Sequence, residues 1–328
     1  MVLKKRVLSG IQPSGRFHLG NYFAMIKKMV EYQNKSELFC FIVDLHALTT
    51  VTDGKQLAEY TNEAAVSLLS LGIDPGISHL WVQSDIPEVT ELAWILSNIT
   101  TLGLMERCHS YKDKVAKGIK PNTGLFIYPI LMAADILLFQ SNLVPVGKDQ
   151  KQHLEVARDI ALKFNSVYGE IFTIPEPLID EHVAVVPGID GQKMSKSYGN
   201  TIEVFASKDE LKRSVMGIVT DSQSVEASKD PDKCNLYNIY KLFVSSEENK
   251  KLRKRYTDGG LKYGDVKKEL FEIIWDYFKE ARQKREDLLK DKGYIDRILK
   301  EGADRTREIA VKTLRSVKNA AGLSVRML

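Results

Sequence analysis

Between residues 7 and 82 short apolar runs alternate with longer amphipathic stretches, and this alternation restricts the fold more than any other feature of the chain. Val7-Leu8 opens a strand ending near Ile11, Leu38 to Val43 reads as a strand buried on both faces, and Leu80-Trp81-Val82 as another. The stretches between them have helical spacing. Leu19, Phe23, Ile26 and Val30 follow the first run, and Leu57, Ala64, Leu68 and Leu71 follow the second within 53–71. Residues 87–100 follow the third, with Pro87 near the first turn. Repeated strand–helix alternation predicts a parallel sheet with helices on both faces, and ligands outside the carboxyl ends of its strands.

Beyond Val204 strand-like runs give way to charged helical periodicity, through Leu236-Ile239-Phe243, Leu270-Ile273-Ile274-Tyr277 and Ile309-Val311-Leu314-Val317. The expected organisation is an α/β domain over 1–203 and a mostly α-helical domain over 204–328. With 328 residues, 44% of them hydrophobic, the chain can bury cores of that size. No apolar run is long enough to span a bilayer, and residues 1–6 lack the apolar segment of a signal peptide, so a cytoplasmic location is expected. Cys40, Cys108 and Cys234 are scattered without a CxxC pair, which supports neither a disulfide framework nor a cysteine-only metal site. The net charge of +4 is unevenly distributed: from Lys241 onward there are 23 Lys and Arg against 15 Asp and Glu, leaving 24 against 28 for residues 1–240. Such a bias suits a polyanionic partner for the C-terminal part, or a solvated lysine-rich helical surface.

Two segments have the composition of phosphate sites. GIQPSGRFHLGNY, residues 10–22, places three glycines and a proline between the first strand and the first helix, where free backbone N–H groups and the helix dipole favour an anion. Far away, PGIDGQKMSKS, residues 187–197, carries Lys193 and Lys196 in a stretch without helical periodicity, as a loop that can close over a charged ligand. In a third segment, Tyr128, Met132 and Asp135 are spaced i, i+4 and i+7 and share one helical face. Asp135 is thus a carboxylate in an apolar helix, and something polar must meet it. Taken alone, the segment favours a backbone N–H as that partner.

Together these segments resemble the class I aminoacyl-tRNA synthetases, whose HIGH and KMSKS motifs stand here as His18-Leu19-Gly20-Asn21 and Lys193 to Ser197. GIQPSG, Asp44-Leu45-His46-Ala47, YPILMAADILL, PVGKDQKQHLE and the basic stretch GYIDRILKEGADRTREIAVKTL are similar, in order, to the bacterial tryptophanyl-tRNA synthetases, so the resemblance covers nearly the whole chain. Asn21, where the class has histidine, suits the narrower family. Some members carry an iron–sulfur cluster on four cysteines in the C-terminal domain. Cys234 is the only cysteine beyond residue 108, so none is expected here.

The resemblance implies activation of L-tryptophan with ATP and transfer to tRNA(Trp), by a homodimer. For ATP it implies Gln12, Pro13, Ser14, His18, Gly20 and Asn21, then Gly147, Lys148 and Asp149 at the ribose, Val186 and Met194 about the adenine, and Lys193, Ser195, Lys196 and Ser197. His18 and Asn21 would donate to the phosphates, and Lys193 and Lys196 would oppose the charge on leaving pyrophosphate. For tryptophan it implies Asp135 accepting the indole N–H, Met132 on the ring, Tyr128 and Gln150 at the α-amino group, and His46, Val144 and Val146 lining the pocket. From the residues alone, His46 reads as a satisfied interior histidine and both valines as strand core. Mg²⁺ would accompany ATP with phosphates and water as its ligands. The lysines at 112, 114, 117 and 120, and Arg282, Lys284 and Arg285, are candidates for tRNA contact. The nearest rivals are a tyrosyl-tRNA synthetase, disfavoured by the pocket sequence LMAAD, and a non-catalytic nucleic-acid-binding relative, disfavoured by the intact lysines 193 and 196.

Overall fold

The computed structural model describes residues 4–108, 122–147, 151–178 and 186–323. Five parallel strands, β1 (Arg6–Ile11), β2 (Glu37–Ile42), β3 (His79–Val82), β4 (Leu143–Pro145) and β5 (Glu176–Leu178), form one sheet in the order β3-β2-β1-β4-β5. The predicted α/β class is therefore present. From β1 the chain winds one way to β2 and β3 and later the other way to β4 and β5, so β1 and β4 flank the reversal. Loops leaving their carboxyl ends part to either side and open a crevice there.

The two-residue period of the strands divides the core. Val7, Ile11, Leu38, Cys40, Ile42, Leu80 and Val82 face one layer, while Leu8, Phe39, Phe41 and Trp81 face the other. The first layer holds the helix Gly54–Ser70, matching the 53–71 periodicity, and runs without a break into Leu236, Ile239, Leu270 and Ile274 beyond residue 204. The second holds the helices Glu88–Ser97, Thr123–Leu138 and Lys151–Tyr168. After residue 204 every regular element among the described residues is helical, as the charged periodicity predicts.

The last of these helices, Lys292–Ala320, returns to the sheet. Ala303, Ala310, Leu314 and Val317 join the second core layer, and the helix runs against β3. Gly302 allows the approach, because a methyl group there would run into the carbonyl oxygen of Leu80. Polar contacts hold the same seam: Thr306 Oγ1 lies 3.0 Å from His79 Nδ1, and Arg305 donates to the carbonyl of Pro75 at 2.7 Å. Ion pairs join the basic C-terminal part to the acidic remainder: Arg307 with Glu88 at 2.8 Å, Lys318 with Glu91 at 2.7 Å, and Arg285 with Glu63 at 2.7 Å. Part of the C-terminal charge excess thus acts within the chain. Arg285 also lies over the Phe205 ring, and Arg282 lies 3.6 Å from the centroid of Trp275 while donating to its carbonyl. Of the cluster Arg282, Lys284 and Arg285 singled out for tRNA, both arginines are therefore engaged in packing. Among the described residues no helix is long and apolar enough to cross a membrane.

Replacing Gly302 by alanine must push the terminal helix off β3 or distort the strand. Thermal denaturation of Gly302→Ala is expected to show a loss of about 1–3 kcal/mol, the range for overpacking a filled interior, and an unchanged melting temperature would refute this account of the seam.

Candidate active site

The turn after β1 places the first motif over the crevice. His18 caps the helix that begins at Leu19: its own N–H donates to Asn21 Oδ1 at 3.1 Å, and the Asn21 N–H donates to His18 Nδ1 at 3.4 Å. An N–H can only donate, so Nδ1 is the acceptor and the neutral ring carries its proton on Nε2. Burial, and then the charge of Lys196, push the His18 pKa down to about 4. The ring is consequently a neutral donor at physiological pH. Gly20 leaves room for it, since a Cβ at that position would stand 2.8 Å from its Nδ1 and Cε1 atoms. Helical geometry continues from Leu19 through a π-helical segment, Tyr22–Ile26, into Lys27–Lys35. Gln12 and Ser14 are exposed on the turn, with Pro13 buried between them.

The lysine segment meets this turn. Lys196 Nζ donates to the Ser14 carbonyl at 2.6 Å and reaches Ser14 Oγ at 3.3 Å. Partial burial lowers the Lys196 pKa, opposed by the charges of Glu203 and Glu63. One residue organises the segment: Asn200 Oδ1 accepts from the Ser195 N–H at 2.8 Å, and its Nδ2 donates to Asp190 Oδ1 at 2.8 Å and to the Lys193 carbonyl at 3.1 Å. Ser195 and Ser197 exchange a hydroxyl hydrogen bond at 2.8 Å, and Lys193 is exposed. Val186 accepts the Met194 N–H at 2.9 Å, and both side chains are buried in the first core layer. Just beyond, residues 202–204 pair with 17–19, through Leu19 N–H to the Ile202 carbonyl and Val204 N–H to the Phe17 carbonyl, both at 2.9 Å. The two motifs are thus stitched together by backbone as well as by Lys196.

The third segment lies across the crevice. Tyr128, Met132 and Asp135 all fall on the helix Thr123–Leu138, which contains Pro129 without ending there. Asp135 is 2% exposed. Its partners are side chains, not the backbone N–H that the segment alone favours: His46 Nε2 lies 2.8 Å from Oδ2, and Gln83 Nε2 donates to both oxygens at 2.8 Å. Burial raises the Asp135 pKa, and the bonds from His46 and Gln83 oppose the rise. Tyr128 stands edge-on to His46, with ring centroids 6.3 Å apart, and its hydroxyl lies 2.6 Å from His153 Nε2. Val144 on β4, Val146 just after it and the partly buried Met132 belong to the same apolar layer. Gly147 is exposed at the end of β4. Lys148, Asp149, Gln150 and the lysines at 112, 114, 117 and 120 lie outside the described residues. Among the described residues no group of three or more His, Cys, Asp or Glu is arranged to hold a metal ion.

The arrangement combines a cationic corner after β1, suited to phosphates, with a buried carboxylate set against an apolar layer. Residues 4–279 match the family described as tRNA synthetases class I (W and Y). The tryptophan–tRNA ligase of Campylobacter jejuni strain RM1221 is 53% identical over 318 residues, covering 97% of this chain and 100% of that one. This chain belongs to the tryptophanyl-tRNA synthetase family. The Fusobacterium nucleatum tryptophan–tRNA ligase is 52% identical over 320 residues, covering 97% of this chain and 98% of its own. The crystal structure of the C. jejuni tryptophanyl-tRNA synthetase complexed with ADP and tryptophan superposes with a TM-score of 0.91 at 53% identity, over 97% of this chain and 100% of that one. The parallel sheet and crevice of this synthetase fold therefore have a full-length counterpart.

Sequence reasoning passed over Gln83 and Asn200. Gln83 directly follows the third strand, and its position at a carboxyl edge was the available signal. No local pattern marks Asn200, whose role depends on contacts up to ten residues back.

Because the unfolded imidazole takes its proton near 6.5 and folded His18 only at about 4, the unfolded chain binds more protons between these values, and stability falls as pH drops through this window. Denaturant titrations from pH 7.5 to 4 are expected to show a shallower decline for His18→Gln than for the wild type. Identical slopes would refute a buried neutral imidazole.

Proposed function

We propose that this chain is a tryptophan–tRNA ligase that activates L-tryptophan with ATP and transfers it to tRNA(Trp). The observation that carries the reading is Asp135, a carboxylate buried beside the apolar layer of Met132, Val144 and Val146 and met by His46 and Gln83. An indole packs on such a layer and brings one ring N–H for the carboxylate to accept. A carboxylate oxygen of tryptophan attacks the α-phosphorus of ATP in line, the bond from that phosphorus to the bridging oxygen breaks, and pyrophosphate leaves. A terminal hydroxyl of the tRNA then attacks the carbonyl of tryptophanyl-AMP, and AMP departs. No side chain becomes covalently modified, so catalysis consists of positioning and charge stabilisation.

Within this reading His18 donates its Nε2 proton to phosphate as a neutral group, and Asn21 donates its side-chain amide. Lys193 and Lys196 oppose the charge on leaving pyrophosphate. Gln12, Pro13, Ser14, Gly20, Ser195 and Ser197 complete the phosphate corner, Val186 and Met194 approach the adenine, and Gly147 leads to the ribose with Lys148 and Asp149. Met132, Val144, Val146 and His46 surround the indole, and Tyr128 with Gln150 holds the α-amino group. Mg²⁺ enters with ATP as part of the substrate. Its ligands are the phosphates and water. The helices beyond residue 204 take the tRNA, and a homodimer is carried over from the family resemblance. Trp94, 73% exposed, and Leu102, 70% exposed, are apolar side chains open to such a partner.

ATP–pyrophosphate exchange tests the reading most directly: it should depend on tryptophan, with tyrosine rejected by orders of magnitude, because a site built around a ring N–H discriminates strongly against a side chain lacking it. Exchange supported equally by tyrosine would sink the assignment.

Structural engagement of Arg282 and Arg285 moves the tRNA test to other cations. Lys250, Lys251 and Lys254 are exposed on the helix Ser246–Thr257. Replacing all three by glutamine should raise KM for tRNA and flatten the salt dependence of charging by about 0.7–0.9 log units per lost phosphate contact. Tryptophan-dependent exchange should stay at the wild-type rate, and unaltered charging across the salt series would clear this cluster of tRNA contact.

A further inference from the structure

We infer that Gln83 is a positioning residue that selects which oxygen of Asp135 reads the ring N–H of the amino acid. The inference rests on Asp135 being the indole acceptor. Gln83 opens the single turn Gln83–Asp85 after β3 and is 1% exposed. Its amide is oriented from both ends. Oε1 lies 3.4 Å from the backbone N of His46, whose N–H can only donate, so the NH₂ must face Asp135, 2.8 Å from each oxygen. His46 Nε2 completes the circuit at 2.8 Å from Oδ2. Gln83, Asp135 and His46 thereby close a ring of hydrogen bonds linking the ends of β2 and β3 to the helix Thr123–Leu138.

The ring is asymmetric. Oδ2 receives both Gln83 and His46, whereas Oδ1 receives Gln83 alone among the described residues. A carboxylate oxygen has two acceptor positions, so Oδ2 is filled and Oδ1 keeps one position for an incoming donor. His46 by itself would not fix the carboxylate plane, because the terminal torsion of aspartate is broad. The amide bridging both oxygens does fix it. The turn that carries Gln83 is held by Asp44, whose Oδ1 accepts the N–H groups of Leu45 and Ser84, both at 3.0 Å. A neutral amide also leaves the carboxylate its charge, which a lysine in the same place would neutralise.

The test compares tryptophan with its benzothiophene analogue, in which sulfur replaces the ring N–H, in the exchange reaction of the full-length enzyme. In Gln83→Met the ratio of kcat/KM between the two should fall about tenfold, the factor of one hydrogen bond to a charged group. The fall should come from a higher KM for tryptophan, with KM for ATP unchanged. Gln83→Asn, which keeps a buried amide but shortens its reach by one methylene, should lower the ratio in the same direction. A folded variant of either kind with the wild-type ratio, or both activities lost in equal proportion, would make Gln83 a packing residue and overturn the inference, as would loss of the fold in both. Asp135→Asn separates the two levels: if it too leaves the ratio unchanged, the indole reading itself fails. If it collapses the ratio while the Gln83 variants do not, only the assignment to Gln83 falls.

Discussion

A sheet of parallel strands cannot leave either face in water, because its strands are apolar on both sides. This constraint organises the whole chain. The first layer is closed by Gly54–Ser70 and by helices from beyond residue 204, and the second only when Lys292–Ala320 returns to β3 across more than 200 residues of sequence. Gly302 and the ion pairs Arg307–Glu88 and Lys318–Glu91 belong to that closure. Part of the excess of positive charge at one end thus docks the chain's two ends within the molecule. Only the remaining exposed cations are available for a polyanion.

The same sheet decides where charge can be placed for chemistry. At the reversal between β1 and β4 the loops leave the core, so groups there can be half-buried without a full interior's desolvation cost. His18 and Lys196 both lose proton affinity to burial, but with different consequences: His18 becomes a neutral donor, whereas Lys196, bonded to the Ser14 carbonyl and close to Glu203 and Glu63, gains from partners that favour its charge. Asp135 lies deeper, and its raised pKa is opposed by two donors. The crevice thus grades from an exposed cation at Lys196 to a buried carboxylate at Asp135.

Much of this was legible in the sequence, for identifiable reasons. The strands announce themselves because burial on both faces demands unbroken apolar runs, as in Leu38 to Val43. His18 and Asn21 were marked by a glycine-rich turn leading into a helix, and Asp135 by its incongruity among Ala134, Ile136 and Leu137. What could not be read were relations between distant segments. The pairing of 17–19 with 202–204, the packing of Gly302 on Leu80, and the use of Arg285 by Glu63 and Phe205 depend on tertiary approach and have no local periodicity. The segment taken alone points to a backbone N–H for Asp135, and the side-chain donors found there have a related reason. A helix interior already uses its N–H groups, so a carboxylate buried there must find donors on other elements, here at the ends of β2 and β3.

On the proposed reading, these donors also shape how Asp135 would discriminate among amino acids. Were Asp135 met by no other donor, any amino acid lacking a ring N–H would leave a bare buried charge, and rejection would follow from desolvation alone. With His46 and Gln83 in place the carboxylate already has donors within the protein. On the proposed reading, discrimination at the ring N–H then rests on an Oδ1 that gains a second donor with one side chain and not with another. It therefore depends on the carboxylate keeping its orientation, and on the residues that hold its plane.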